Sequence, residues 1–303
     1  MARPLAVGVQ LPEVEREVRW PELREMAITA EAVGFDSVWV GDHLLYRTPA
    51  GIRGPWEAWS LLAAIAAVTE RVQIGPLVAA TSFHNPTMLA KKAATVDEIS
   101  GGRLILGLGT GWNRDEYAAF GFPFDHRASR FAEAFTIIRT LLQEGAVDFT
   151  GTYYTARDCE LVPRPRRGGP PLMIGSLGPR VLRIALPYVD MWNAWHAWYG
   201  NDPDRLAPTL EDVDAACRDV GRGPETLQRT VTVLVETPQG SGRLHGSPGR
   251  QQSTPIGGTI DEVAAVLREF ADAGIGHVQL VVDPITIGSI EWFGEVLVAL
   301  DSD

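Results

Sequence analysis

Asp42 and His43 stand side by side directly after the apolar segment 36–40. A carboxylate next to an imidazole can orient a ring, hold a proton or pass one on near neutral pH. The same pair can be a structural device that organises the loop 44–55, and the residues alone leave both open. Thr110 and Gly111 close the run GLGTG at 107–111, where glycines let a backbone pass close to a ligand. Gly175, Ser176, Leu177 and Gly178 lead into Pro179, the start of a helix with Arg180 in its first turn. Open N–H groups at such a start attract anions, although an ordinary strand-to-helix loop has the same composition. Trp192, Trp195, His196, Trp198 and Tyr199 gather at the end of 189–194. They suit a substrate-pocket wall, and equally core packing or a contact between subunits. His84 and His126 are second-tier candidates, and Asn113 and Arg114 read as the cap of the helix after GTGW. The chain has no HExxH, no CxxC, no metal-type carboxylate cluster and no Ser-centred nucleophile elbow, so no metal is expected.

Elements that must position these residues follow from the hydrophobic pattern. Apolar strands are predicted at 5–11, 36–40, 72–78, 103–108, 172–174, 189–194, 228–235 and 278–282. Helices are predicted between them at 20–33, 57–68, 86–99, 114–119, 128–143, 179–186, 204–220, 261–273 and 289–300. A small hairpin is expected at 147–155 around Gly151. Gly101, Gly221 and Gly274 are positioned as helix stops. Eight strands alternating with helices, without a reversal of order, predict an α/β fold, a (β/α)8 TIM barrel forming one domain over 1–303. Twice, at 72–85 and 103–111, a strand delivers a chemically rich loop at its C-terminal end, as such barrels do. A dinucleotide fold is a poor match, because position 112 is Trp and the glycine run lies mid-chain.

Composition bounds the function. The 303 residues are 45% hydrophobic with a net charge of −11, enough for a large core and unfavourable for nucleic acid. No apolar run reaches membrane-spanning length, and the N-terminal residues lack a secretory h-region. Two cysteines, Cys159 and Cys217, make no disulfide framework. A cytoplasmic, reduced protein is therefore expected. The segment 237–255 is rich in Gly, Ser, Pro and Gln. It is expected to be a mobile insertion after the seventh strand, either a lid or a disordered loop.

Three stretches carry a family resemblance: GFDSVWVGDHLLYR (34–47), SGGRLILGLGTGWNRDEYAAFGFPF (100–124) and PPLMIGSLGPRVLRIALPYVDMWNAW (170–195). Together they resemble the luciferase-like monooxygenase superfamily, and within it the branch that uses the deazaflavin coenzyme F420. The resemblance runs along nearly the whole chain and implies the same barrel. It implies that Asp42 binds the polar edge of the coenzyme ring and that His43 lies by the redox face and assists proton transfer. Thr110 and Gly111 would contact the coenzyme, and Ser176, Leu177 and Gly178 would hold its phosphate. A non-proline cis peptide in 76–78 would press Leu77 and Val78 on the back of the ring. Similar sugar-phosphate dehydrogenases carry Trp where this chain has Arg47, and Glu where it has Trp112, so that activity is not expected. Arg47, Trp112, Trp192, Trp195 and His196 are then assigned to a pocket for an apolar or planar substrate. The expectation is an F420-dependent oxidoreductase moving hydride to or from a small carbonyl, imine, alcohol or activated alkene. The alternatives are an FMN-dependent monooxygenase on the same barrel and a non-catalytic flavin-binding barrel. A homodimer, and a separate F420 or flavin reductase as partner, are expected from the same resemblance.

Overall fold

The computed structural model describes residues 3–49, 51–166, 168–240 and 253–302. Eight parallel strands close into a barrel: β1 (Ala6–Gln10), β2 (Ser37–Val40), β3 (Gln73–Pro76, resumed at Ala79–Ala80), β4 (Leu106–Gly109), β5 (Leu172–Ile174), β6 (Met191–Ala194), β7 (Gln228–Glu236) and β8 (His277–Asp283). The third strand makes the closure. Its first half pairs with β2, Ser37 opposite Gln73, and its second half pairs with β4, Ala79 opposite Leu108. Between the halves lies a non-proline cis peptide, Leu77–Val78, inside the window expected from the resemblance.

Around the barrel run α1 (Trp20–Ala32), α2 (Ala58–Val68), α3 (Pro86–Ser100), α4 (Arg114–Phe120), α5 (Arg127–Glu144), α6 (Pro179–Ala185), α7 (Ala207–Asp219), α8 (Ile260–Asp272) and α9 (Ile287–Asp301). Their ends follow from local chemistry. Asn85 accepts from the N–H groups of Thr87 and Met88, with Pro86 opening α3 and Gly101 closing it in the left-handed region,. Thr259 and Glu262 form a reciprocal capping box on α8,. Asn113 caps α4 as expected, accepting from Asp115 N–H. The helix expected at 204–220 starts later, at Ala207. Pro208 has no N–H to give and fits only the first turn, so 203–205 form a separate 3-10 turn,.

Strand residues alternate between two cores. Outward side chains pack on the helices, as Val38, Leu106 and Trp192 do. Inward ones, Trp39, Ile105, Met173 and Met191, fill the barrel below Leu77,. Two antiparallel hairpins decorate the strand ends. One, Tyr46–Thr48 with Gly51–Arg53, lies in the loop after β2 and was not legible from pattern. The other, Ala146–Thr150 with Thr155–Glu160, extends past the 147–155 expected. Its return strand is mostly exposed and polar, so it lacks an apolar repeat.

Residues 241–252 lie outside the described residues, so the mobile-insertion expectation for 237–255 falls largely on them. The described end returns to the barrel: Ile256 bridges to Val235, and Asn201 Nδ2 donates to Thr254 O. Among the described residues no helix is long and apolar enough to cross a membrane.

Candidate active site

The C-terminal ends of β1 to β6 surround a cavity of about 280 Å³, near the lower end of the range for small-molecule sites. Asp42, His43, Leu77, Val78, Thr110, Gly111, Trp112, Ser176, Leu177, Trp195 and His196 all line it. Segments distant in sequence thus meet at one mouth. Trp198 of the aromatic cluster lines it as well, and so do Gln10, Glu13, Tyr46, Glu116 and Asn193, which were not singled out from sequence.

His43 is the centre of the polar wall. Its Nδ1 donates to both carboxylate oxygens of Glu116, at 3.0 and 2.9 Å. Glu116 is fully buried, and its Oε1 also accepts the backbone N–H groups of Leu44 and Leu45. On the other side, His43 Nε2 stands 3.6 Å from Glu13 Oε1, beyond hydrogen-bond reach. Glu13 is itself held by donors, with Tyr46 Oη at 2.8 Å on Oε1 and Gln10 Nε2 at 3.1 Å on Oε2. Burial opposes charge on the His43 ring. The fields of Glu13, Glu116 and Asp42 and the hydrogen bond to Glu116 outweigh it, and its pKa rises to about 9,. Burial, then the charge and hydrogen bond of Glu13, hold the Tyr46 phenol well above its usual range, so it remains a donor.

Asp42 is buried at the same mouth. Its Oδ2 accepts from Ala80 N–H at 2.8 Å and from His84 Nε2 at 2.9 Å. His84 therefore stands behind Asp42 rather than in the cavity. His126 lies elsewhere, an exposed cap residue of α5 with φ 52°.

Opposite the polar wall the backbone is bare. A Cβ on Gly109 would lie 2.8 Å from Val78 Cγ2, and one on Gly175 3.1 Å from the same atom. Gly111 has φ +72°, and a Cβ there would fall 2.2 Å from Tyr117 Oη. Its carbonyl accepts from Arg127 Nη1, and Thr110 O accepts from Tyr117 Oη. The 109–111 turn is thus pinned by Tyr117 and Arg127 and packs too closely on its neighbours for any residue but glycine at 109 and 111.

Three assigned residues sit elsewhere. Trp192 is a correction: it lies between the inward Met191 and the cavity-lining Asn193, so strand alternation turns it outward into the helix-facing core,. From there its Nε1 donates to Ser176 O at 2.9 Å and steadies the 175–178 loop. Arg47 is the second. On the hairpin Tyr46 points in and Arg47 out, where it is exposed, 3.8 Å from Asp115. Tyr46 thereby takes the place in the cavity assigned to Arg47. Gly178, the third, is exposed and does not border the cavity, and its N–H donates to Ser176 Oγ. Trp112 does border the cavity, its ring 5.6 Å from that of His43. Trp195 packs on His196, whose Nδ1 lies 3.0 Å from Ser253 Oγ. Tyr199, by contrast, is buried, donating to Thr232 O.

Eight parallel strands with an acid–base wall at their C-terminal ends define a barrel of enzyme type. The chain belongs to the luciferase-like monooxygenase family, whose model matches residues 5–238. Over 169 residues it is 40% identical to the F420-dependent glucose-6-phosphate dehydrogenase of Amycolatopsis mediterranei (strain U-32), covering 54% of this chain and 50% of that protein. Over 193 residues it is 34% identical to pyrimidine monooxygenase RutA of Cronobacter sakazakii (strain ATCC BAA-894), covering 60% and 54%. The chain thus spans about half the length of these curated relatives. In three dimensions it resembles an F420-dependent secondary alcohol dehydrogenase solved with an F420–acetone adduct, with a TM-score of 0.81 at 23% identity, covering 98% and 99% of the two chains. That likeness shows the barrel fold.

Proposed function

We propose that this protein is an F420-dependent oxidoreductase acting on a small, flat or apolar carbonyl, imine, alcohol or activated alkene. The observation that carries this reading is one cavity with a bare glycine cradle on one side and a carboxylate-flanked His43 on the other. Leu77, Val78, Thr110 and Gly111 would hold the ring of the coenzyme, Asp42 its polar edge, and Ser176 and Leu177 its phosphate end. When bound, F420 supplies the two-electron hydride chemistry. The chain's own part is to hold the substrate against that ring and to move the matching proton at His43 Nε2. Trp112, Trp195 and His196 would shape the substrate pocket.

The wall disfavours an anionic substrate. Glu13, Glu116 and Asp42 line it, and among the described residues no Lys or Arg does. Trp112, where similar sugar-phosphate dehydrogenases have Glu, adds an apolar face to the same cavity. A second reading, an FMN-dependent monooxygenase, is favoured by the similarity to RutA over 60% of the chain.

A fluorescence titration of the purified protein with F420 and, separately, FMN tests both readings. Micromolar or tighter F420 binding with much weaker FMN binding is expected. A preference for FMN would replace the first reading by the second, and binding of neither would overturn both.

A further inference from the structure

His43 is enclosed by acids from three different elements. Glu116 comes from α4, Glu13 from the loop after β1, and Asp42 from its own loop. Each is held in place by fixed donors. Glu116 takes the N–H groups of Leu44 and Leu45, Glu13 takes Tyr46 Oη and Gln10 Nε2, and Asp42 takes Ala80 N–H and His84 Nε2. Donors fixed in this way hold the carboxylates against the ring, and Glu116 meets His43 Nδ1 at 2.9 Å,. The ring is also oriented. Nδ1 is spent on Glu116, while Nε2 makes no hydrogen bond among the described residues and borders the cavity.

We infer that Glu116 and Glu13 are positioning residues that keep His43 a cation with its Nε2 proton turned to the substrate, so that the site is set to reduce a C=O or C=N bond. This rests on the oxidoreductase reading above. In the reductive direction reduced F420, when bound, would supply a hydride, with its two electrons, to the substrate carbon. The His43 Nε2–H bond breaks, and an O–H or N–H bond forms on the neighbouring oxygen or nitrogen. A carbonyl becomes an alcohol or an imine an amine, and neutral His43 regains its proton from solvent. Glu116 never touches the substrate in this step. Its work is to fix which nitrogen faces the cavity and to keep the ring charged.

The test is an NMR titration of the full chain with 15N-labelled imidazole rings, in the native protein and in Glu116→Gln and Glu13→Gln. Native His43 is expected to titrate at about 9, with Nδ1 hydrogen-bonded. Glu116→Gln should lower that midpoint by about one to three pH units and weaken the preference for Nδ1. Glu13→Gln should lower it while leaving the Nδ1 signature in place, a split that a merely structural pair would not show. The resonance of His277, buried at the opposite end of the barrel, reports whether each variant is folded. If Glu116→Gln fails that check, Glu13→Gln and the native titration decide. A native midpoint near 6.5, or one unmoved in both variants, overturns the inference. The F420 titration is run on the same native sample. Absence of F420 binding there would sink the oxidoreductase reading, whereas the His43 midpoint judges the clamp.

Discussion

Two histidines, one half-buried and one fully buried, sit at opposite ends of this barrel and are driven in opposite directions. His43, at the mouth, lies between carboxylates, and its pKa rises to about 9. His277, first residue of β8, lies at the base, and burial alone depresses its pKa to about 4. Its Nε2 meets Ser37 Oγ at 2.7 Å, a hydroxyl that also accepts from Trp39 Nε1. Loss of water opposes the charge on both rings, so the neighbours decide the outcome. Hydroxyl and indole at the base keep an imidazole neutral and packed. Under the proposed function, Glu13, Glu116 and Asp42 at the mouth would keep one charged and ready to give a proton. That is the division of labour expected of such barrels, chemistry at the C-terminal face and stability at the other.

The comparison can be broken at several points. The largest effect is expected from His43→Ala. Turnover of a substrate found by screening with reduced F420 should fall roughly 10²–10⁴-fold, while fluorescence titration shows F420 affinity little changed. An equal loss of coenzyme affinity would mean that His43 holds the ring and not the proton.

Stability against pH should show the two histidines separately. His43 binds its proton more tightly folded than unfolded. Its contribution is complete below about 6.5 and is lost as pH rises through about 9,. His277 is the reverse: the unfolded chain takes up a proton that the folded chain refuses, so stability is lost as pH falls from about 6.5 to about 4,. Each interval is worth about 3 kcal/mol. Chemical denaturation across pH should show an alkaline slope that vanishes in His43→Gln and an acid slope that vanishes in His277→Gln. A swap of the two slopes would refute the assignment.

A smaller effect is expected of Gly111→Ala. The added Cβ, at φ +72° and 2.2 Å from Tyr117 Oη, should cost about 1–3 kcal/mol and displace the 109–111 turn. F420 binding should weaken along with stability, as titration and melting together would show. Smallest is Arg47→Ala. On an exposed hairpin residue it should change stability by less than about 0.5 kcal/mol and leave turnover unaltered. A marked loss of turnover would return Arg47 to the site.

Much of this was legible from sequence because it is local. Strand alternation, caps and glycine stops fixed the eightfold pattern, and Asp42, His43, Thr110, Gly111, Ser176 and Leu177 reach the cavity they were assigned to. What escaped depends on contacts across the barrel. Glu116 lies three residues after the helix cap Asn113, a spacing that reads as a capping box. Only the fold brings it 73 residues back to His43. Glu13 sits in the acidic run PEVERE, which looks like a solvated loop. Tyr46 and Arg47 are neighbours, and the one-residue alternation that turns Tyr46 in belongs to a hairpin with no apolar pattern of its own. Trp192 was misassigned for the same reason: composition marked an aromatic cluster, and strand parity decided which of its rings face the cavity.

The most direct test of the account is a single 15N imidazole titration of the native protein, with His43 and His277 assigned among its six histidines. Midpoints of about 9 for His43 and about 4 for His277 are the predicted result. Two midpoints close together near 6.5 would contradict it and remove the charged proton donor from the mouth of the barrel.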